Sequence, residues 1–305
     1  GHYESYYYIT FQYLAPTEVE AKATRAFFKK KKQQEGDKNS KTAGFDYQKA
    51  LSDFSSQVAR FYDILRDFMF TVEMLNDKQT LTYLHSCVSN RSHEVEVPEN
   101  PMYLDAYIAD TPLIGGMAPR LGDRHLRVIS ILSFPGHSMP AMLDRLNHLP
   151  VSYRWVTRYL PLDKLEAEDL IKTYRKQWFA KRKGLMTLLS ETVTKSESAM
   201  SDTASVQKSR DADQAYQVLS DDHVSYGYYT ATVTVWDQSS AVCEEKIREV
   251  IRVINGMGFT CVDEKLNAID AWVSSLPGQA YANVRMPLLH SLNLSHLLPF
   301  SAPWA

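Results

Sequence analysis

Residues 226–262 read YGYYTATVTVWDQSSAVCEEKIREVIRVINGMGFTCV, and this stretch decides the fold. Tyr226 to Trp236 is dense in β-branched and aromatic residues, the composition of a strand. Cys243 to Ile254 follows with Ile247, Val250, Ile251 and Ile254 at helical spacing on one face. Gly256 and Gly258 stop that helix, and Phe259 to Val262 makes a second short strand. The order is strand, helix, strand.

The same order recurs upstream. Arg127 to Phe134 (RVISILSF) is a buried-type strand, Met139 to His148 a short helix, and Val151 to Leu160 (VSYRWVTRYL) alternates as a half-buried strand does. Between the two repeats lie about sixty helical or polar residues, Asp163 to Asp222, with a serine-rich dip from Lys195 to Ser209. Two split βαβ units predict an α+β fold: a ferredoxin-like sheet with helices on one face, spanning residues 123–283, with a helical hairpin inserted at 163–222.

A first α+β subdomain is expected over residues 1–122. Tyr3 to Leu14 reads as a strand on its aromatic and β-branched content. Pro16 opens a helical run to about Lys32, and QQEGDKNSKTAG (33–44) is a loop. Leu51, Phe54, Val58, Phe61, Leu65 and Phe68 recur every three or four residues and predict an amphipathic helix. Phe70 to Glu73 is a candidate short strand, Asp77 to Ser89 a helix, and Val95 to Ile108 irregular. At the other end, Met286 to Ala305 carries no Asp, Glu, Lys or Arg, but Pro287, Pro299 and Pro303 would interrupt a membrane-spanning helix repeatedly. Residues 284–305 read as a packed linker.

Composition narrows the function classes. Of 305 residues, 44% are hydrophobic and 23% charged, a globular balance. A formal net charge of -2 supplies no whole-chain field for nucleic acid or anionic lipid, so any such attraction must be local. Cys87, Cys243 and Cys261 are too few and too far apart for a disulfide framework or a zinc site, which fits a reducing, cytosolic setting. No charged-then-apolar signal segment opens the chain.

Catalytic patterns are sparse. No glycine is followed by lysine, so the phosphate-cradling G-x-x-x-x-G-K-[ST] run does not occur, and neither does G-x-S-x-G. His85, Cys87, His93 and Glu94 are ligand-type residues within ten positions, but no second pair answers His85-x-Cys87 as zinc spacing requires. Asp221-Asp222-His223 reads as a turn or helix terminus in the absence of a nucleophile. Lys29 to Lys32 suits a solvated helix end. The tract KTYRKQWFAKRK (172–183) is more specific: Lys172, Arg175, Lys176, Lys181, Arg182 and Lys183 surround Tyr174, Trp178 and Phe179. Such a helix suits nucleic-acid phosphates, lipid headgroups or an acidic partner. The plainer reading is a helix that packs its aromatics and solvates its charges.

Several runs carry a resemblance. GQAYANVR (278–285), continuing through Pro287-Leu288, LNLSHL (292–297) and SAPWA (301–305), is similar to the segment that leads into the motor of TrbE-type ATPases of conjugative type IV secretion. YRWVTR (153–158), QWFAKRK (177–183), NGMGFTC (255–261), AWVSSLPG (271–278), LTYLH (81–85) and HYES (2–5) resemble the same family in order along the chain. Lys29 to Ala43 matches nothing in it. The resemblance implies a cytoplasmic ATPase docked on the bacterial inner membrane, oligomeric, powering pilus biogenesis and the transfer of DNA or effectors. It implies that this N-terminal region binds membrane-embedded secretion components, while a RecA-like motor beyond residue 305 binds ATP and magnesium. No catalytic or cofactor residue of the family falls within these residues. The chain is expected to begin inside the family's N-terminal region, leaving the first sheet short of a strand. Direct contact with nucleic acid or membrane would fall to Lys172, Arg175, Lys176, Trp178, Lys181, Arg182 and Lys183.

Overall fold

A computed structural model describes residues 6–13, 47–100, 102–135, 138–173, 224–279, 282 and 285–298. They fall into two compact units. One holds the described residues from Ala109 onward together with Val88–Arg91; the other holds those within Tyr6–Cys87 and Ser92–Ile108.

The smaller unit is built on α1 (Tyr47–Phe68) and α2 (Asp77–Val88), with a single turn α3 (Leu104–Ile108). The expected stripe on α1 forms, and part of it is covered by aromatic contacts. Phe11 stacks on Phe61 at 5.4 Å between ring centroids, and Tyr13 sits 6.3 Å from Phe54. The stripe's ends stay open, with Leu51 60% and Phe68 74% exposed. A reciprocal capping box starts α2: Gln79 N–H donates to Asn76 Oδ1 and Asn76 N–H to Gln79 Oε1, both at 2.9 Å.

Two expected strands are absent here. Tyr6–Tyr13 pairs with no strand among the described residues; its aromatics instead lie on the helices, Tyr8 stacking on Tyr83 at 4.3 Å. β-propensity records fitness for a half-buried surface, and a helix face supplies one as well as a sheet does. Phe70 to Glu73 is likewise irregular.

The larger unit is a seven-stranded antiparallel sheet. Its strands are β1 (Leu113–Ile114), β2 (Arg120–Leu121), β3 (Arg124–Ser133), β4 (Tyr153–Pro161), β5 (Tyr226–Asp237), β6 (Thr260–Asp263) and β7 (Leu288–His290). The path runs β1-β2-β3-β5-β4, with β6 also on β3 and β7 also on β5. Because β3 and β4 are each antiparallel to β5, they run parallel to one another with β5 between them. By the same logic β5 and β6 are parallel with β3 between them. These are the two split βαβ units, and the sheet is ferredoxin-like.

The core follows from strand alternation. Tyr229, Ala231, Val233 and Val235 of β5 share a face with Ile129 and Ile131 of β3. Onto that face packs α5 (Ser240–Gly256), capped by Ser239 and presenting Cys243, Ile247, Val250 and Ile254. Gly258 ends the connection at φ +86, a conformation only glycine holds without strain, and an added Cβ would meet Pro135 at 3.2 Å. Gly227 is needed for a different reason: a Cβ there would strike the Tyr159 ring at 2.5 Å.

Three features depart from the sequence expectations. The first crossover carries a 3-10 turn, Asp144–His148, in place of an α-helix over 139–148; Ala141 is left-handed (φ 58), which breaks the helical run ahead of it. The opposite face of the sheet is covered by α6 (Ala268–Ser274), whose Ala271 and Trp272 join Leu121, Leu126 and Val128. That cover is why Thr230, Thr232 and Thr234 are buried as well as their apolar neighbours. Finally, residues expected to be a linker form β7 and α7 (Ser291–His296), and Leu289 and Leu297 enter the main core.

Candidate interaction surface

Lys172 is the one residue of the predicted basic surface that the described residues include. It sits on α4, the helical residues 164–173 after β4. Asp163 caps that helix, accepting from Glu166 N–H at 2.8 Å, and Ala167 and Ile171 are buried with Val224 and Tyr226. The face opposite is solvated, and Lys172 Nζ pairs there with Glu168 at 3.1 Å. An exposed i,i+4 pair of this kind is worth little to stability. Arg175, Lys176, Trp178, Lys181, Arg182 and Lys183 lie outside the described residues, as do the Lys29 to Lys32 tract and Asp221-Asp222-His223.

The ligand-type cluster in the smaller unit divides. The His85 ring meets His93 edge-on at 4.4 Å, and Cys87 is buried on α2. Glu94 points to Lys78, whose Nζ lies 2.8 Å from Glu94 Oε2 and 2.6 Å from Glu96 Oε1. Those hydrogen bonds raise the lysine's pKa and hold the Glu94 carboxyl below its ordinary range. Glu94 therefore acts as a lysine's counter-ion, turned to a different task from His85.

Nucleophilic chemistry finds no support among the described residues of the sheet unit. Burial pushes the Cys243 and Cys261 thiols up to about 11, so both stay protonated at neutral pH. Ser138 Oγ lies 2.9 Å from His296 Nδ1, but its proton goes to Asn293 Oδ1 at 2.9 Å. A hydroxyl has one proton to give, so His296 donates in that contact and does not act as a base.

Charge on the α6-side face is arranged around arginines. Arg285 binds the buried Glu264 carboxylate, Arg154 Nη2 donates to Ser275 Oγ at 2.8 Å, and Arg158 Nη1 donates to the Ala282 carbonyl at 3.4 Å. On the other face Arg127 bridges Glu244 of α5 and Asp263 of β6. Burial lowers the Arg158 pKa, and no carboxylate among the described residues stands against it to raise it again. Arg154 and Arg158 were legible in YRWVTR as same-face positions of an alternating strand. That they stand on an edge strand was not, because edge position depends on long-range pairing.

The model of the CagE, TrbE, VirB family, described as a component of the type IV transporter system, matches residues 69–206 and 192–285. The chain belongs to this family. It is 30% identical over 318 residues to the conjugal transfer protein TrbE of Rhizobium radiobacter, covering 100% of this chain and 37% of that protein. It is 33% identical over 227 residues to a probable conjugal transfer protein TrbE of Sinorhizobium fredii (strain NBRC 101917 / NGR234), covering 74% of this chain and 34% of that protein. This family member thus spans little more than a third of the TrbE proteins it matches. No helix among its described residues is long and apolar enough to cross a membrane.

Proposed function

We propose that this chain is the docking and assembly region of a TrbE-type ATPase, the protein that energises conjugative type IV secretion. ATP hydrolysis belongs to a RecA-like motor elsewhere in the protein. The observation that carries this reading is a combination. The chain matches a type IV transporter family along most of its length, yet none of its 12 glycines precedes a lysine. A phosphate-cradling loop is therefore absent from these residues, and what the sheet unit offers is surface. The partners are inner-membrane components of the secretion complex and further copies of the same ATPase, at the cytoplasmic face of the inner membrane. Pilus biogenesis and DNA or effector transfer would depend on these contacts.

A competition experiment tests the reading. The 305-residue chain, overproduced in a donor cell that carries an intact transfer system, should occupy docking positions and lower conjugation frequency. Unchanged transfer at high levels of folded chain would count against it.

A further inference from the structure

Among the described residues, β4 is the last strand on its side of the sheet. Its pairing with β5 is unbroken from Tyr153 opposite Val235 to Pro161 opposite Gly227. One bond sets the phase of that ladder: Leu162 N–H donates to the Tyr226 carbonyl at 2.9 Å. Hydrogen-bonded and non-hydrogen-bonded positions alternate in an antiparallel pair, so Leu160, Arg158, Val156 and Arg154 turn their peptide groups to β5. A second bond agrees, since Tyr229 N–H donates to Pro287 on the far side of β5. Trp155, Thr157 and Tyr159 therefore turn N–H and C=O away from the sheet. Among the described residues no backbone group meets these three.

An edge this long, with no glycine and no bulge and with proline only at its end, is a template for another strand. Its side chains say which kind. Arg154 and Arg158 lie on one face, and among the described residues Arg158 has only the Ala282 carbonyl as hydrogen-bond partner. Pairing β4 with a second copy of itself about Val156 would set each Arg154 against an Arg158, and like charges directly opposite destabilise a sheet. A strand with carboxylates on that face meets both arginines favourably.

We propose that the β4 edge takes up an extended segment of a partner protein as an added strand, one carrying Asp or Glu at alternate positions opposite Arg154 and Arg158. This mode of recognition draws affinity from main-chain bonds and specificity from alternate side chains. The inference rests on the docking reading and names a surface for it.

The test uses the full chain and two labelled peptides, one alternating Val with Glu and one alternating Val with Lys. By fluorescence anisotropy the Glu peptide should bind about tenfold tighter or better than the Lys peptide. Its binding should slow hydrogen exchange at the amides of Trp155, Thr157 and Tyr159, and Arg158→Glu should shift preference toward the Lys peptide. Absence of binding, equal binding of both peptides, or binding that leaves those three amides unprotected would overturn the proposal. Such a result would leave the docking reading standing, because the competition experiment does not depend on which surface docks.

Discussion

Arg285 clamps the buried carboxylate of Glu264, with Nε 3.1 Å from Oε1 and Nη2 3.4 Å from Oε2. Glu264 directly follows β6 and is 3% exposed, and its N–H donates to the Val128 carbonyl of β3. Arg285 stands just ahead of β7. The pair therefore ties the chain's return toward β7 to the edge of the ferredoxin-like sheet, and a planar guanidinium suits a carboxylate held at two points. Arg285→Ala should cost about 2–3 kcal/mol, because it strands a buried carboxylate; partial exposure of the arginine keeps the figure below that of a fully buried pair. Arg285→Lys should recover only part of the loss. Urea midpoints of the three proteins check this, with an unchanged midpoint in the alanine variant as the contrary outcome.

The segment from 285 to 298 is part of the sheet unit's core. Leu297 is 1% exposed within the main cluster, and Leu292, five residues earlier, is 58% exposed. Leu297→Ala should destabilise by about 2–5 kcal/mol and Leu292→Ala by less than about 0.5 kcal/mol. Equal midpoints for the two variants would show that this segment contributes nothing to the fold.

His290 gives the same segment a pH dependence. Its Nδ1 accepts from Asn293 N–H at 3.3 Å, which requires an unprotonated nitrogen there. Burial, with His296 nearby, lowers the His290 pKa. A base whose folded pKa lies below its unfolded value binds more protons when unfolded, so stability is full above the ordinary histidine value and falls as the pH drops below it. Asp123, Asp237 and Glu94 are held below their own ordinary values and stay ionised in this window. Between about pH 7.5 and about pH 5.5 the native chain should lose more stability than His290→Asn, which keeps a capping acceptor without the charge. Identical losses would remove His290 from the account.

The sheet was legible in sequence because its signals are local and mutually consistent. YGYYTATVTVW alternates β-branched residues, Ile247, Val250 and Ile254 share a helix face, and glycine ends that helix. Signals with two structural solutions were harder. The aromatics of Tyr6–Tyr13 satisfy a sheet face or a helix face equally, and only the position of Phe61 and Tyr83 decides between them. Leu288–His290 is too short for periodicity to register, and its strand character comes wholly from pairing with Tyr226 to Tyr228. On the interaction surface, Lys172 is solvated as its tract predicted, while the arginines of β4 gained meaning only from the strand's place at the edge.

Deletion separates docking from hydrolysis most directly. In a donor carrying the complete transfer system, the full-length ATPase and a version lacking the region corresponding to residues 1–305 would be recovered from the inner membrane and assayed for ATP turnover. The docking role predicts that the truncated protein still hydrolyses ATP but no longer co-purifies with the secretion complex. A truncated protein that co-purifies at the native level would contradict it.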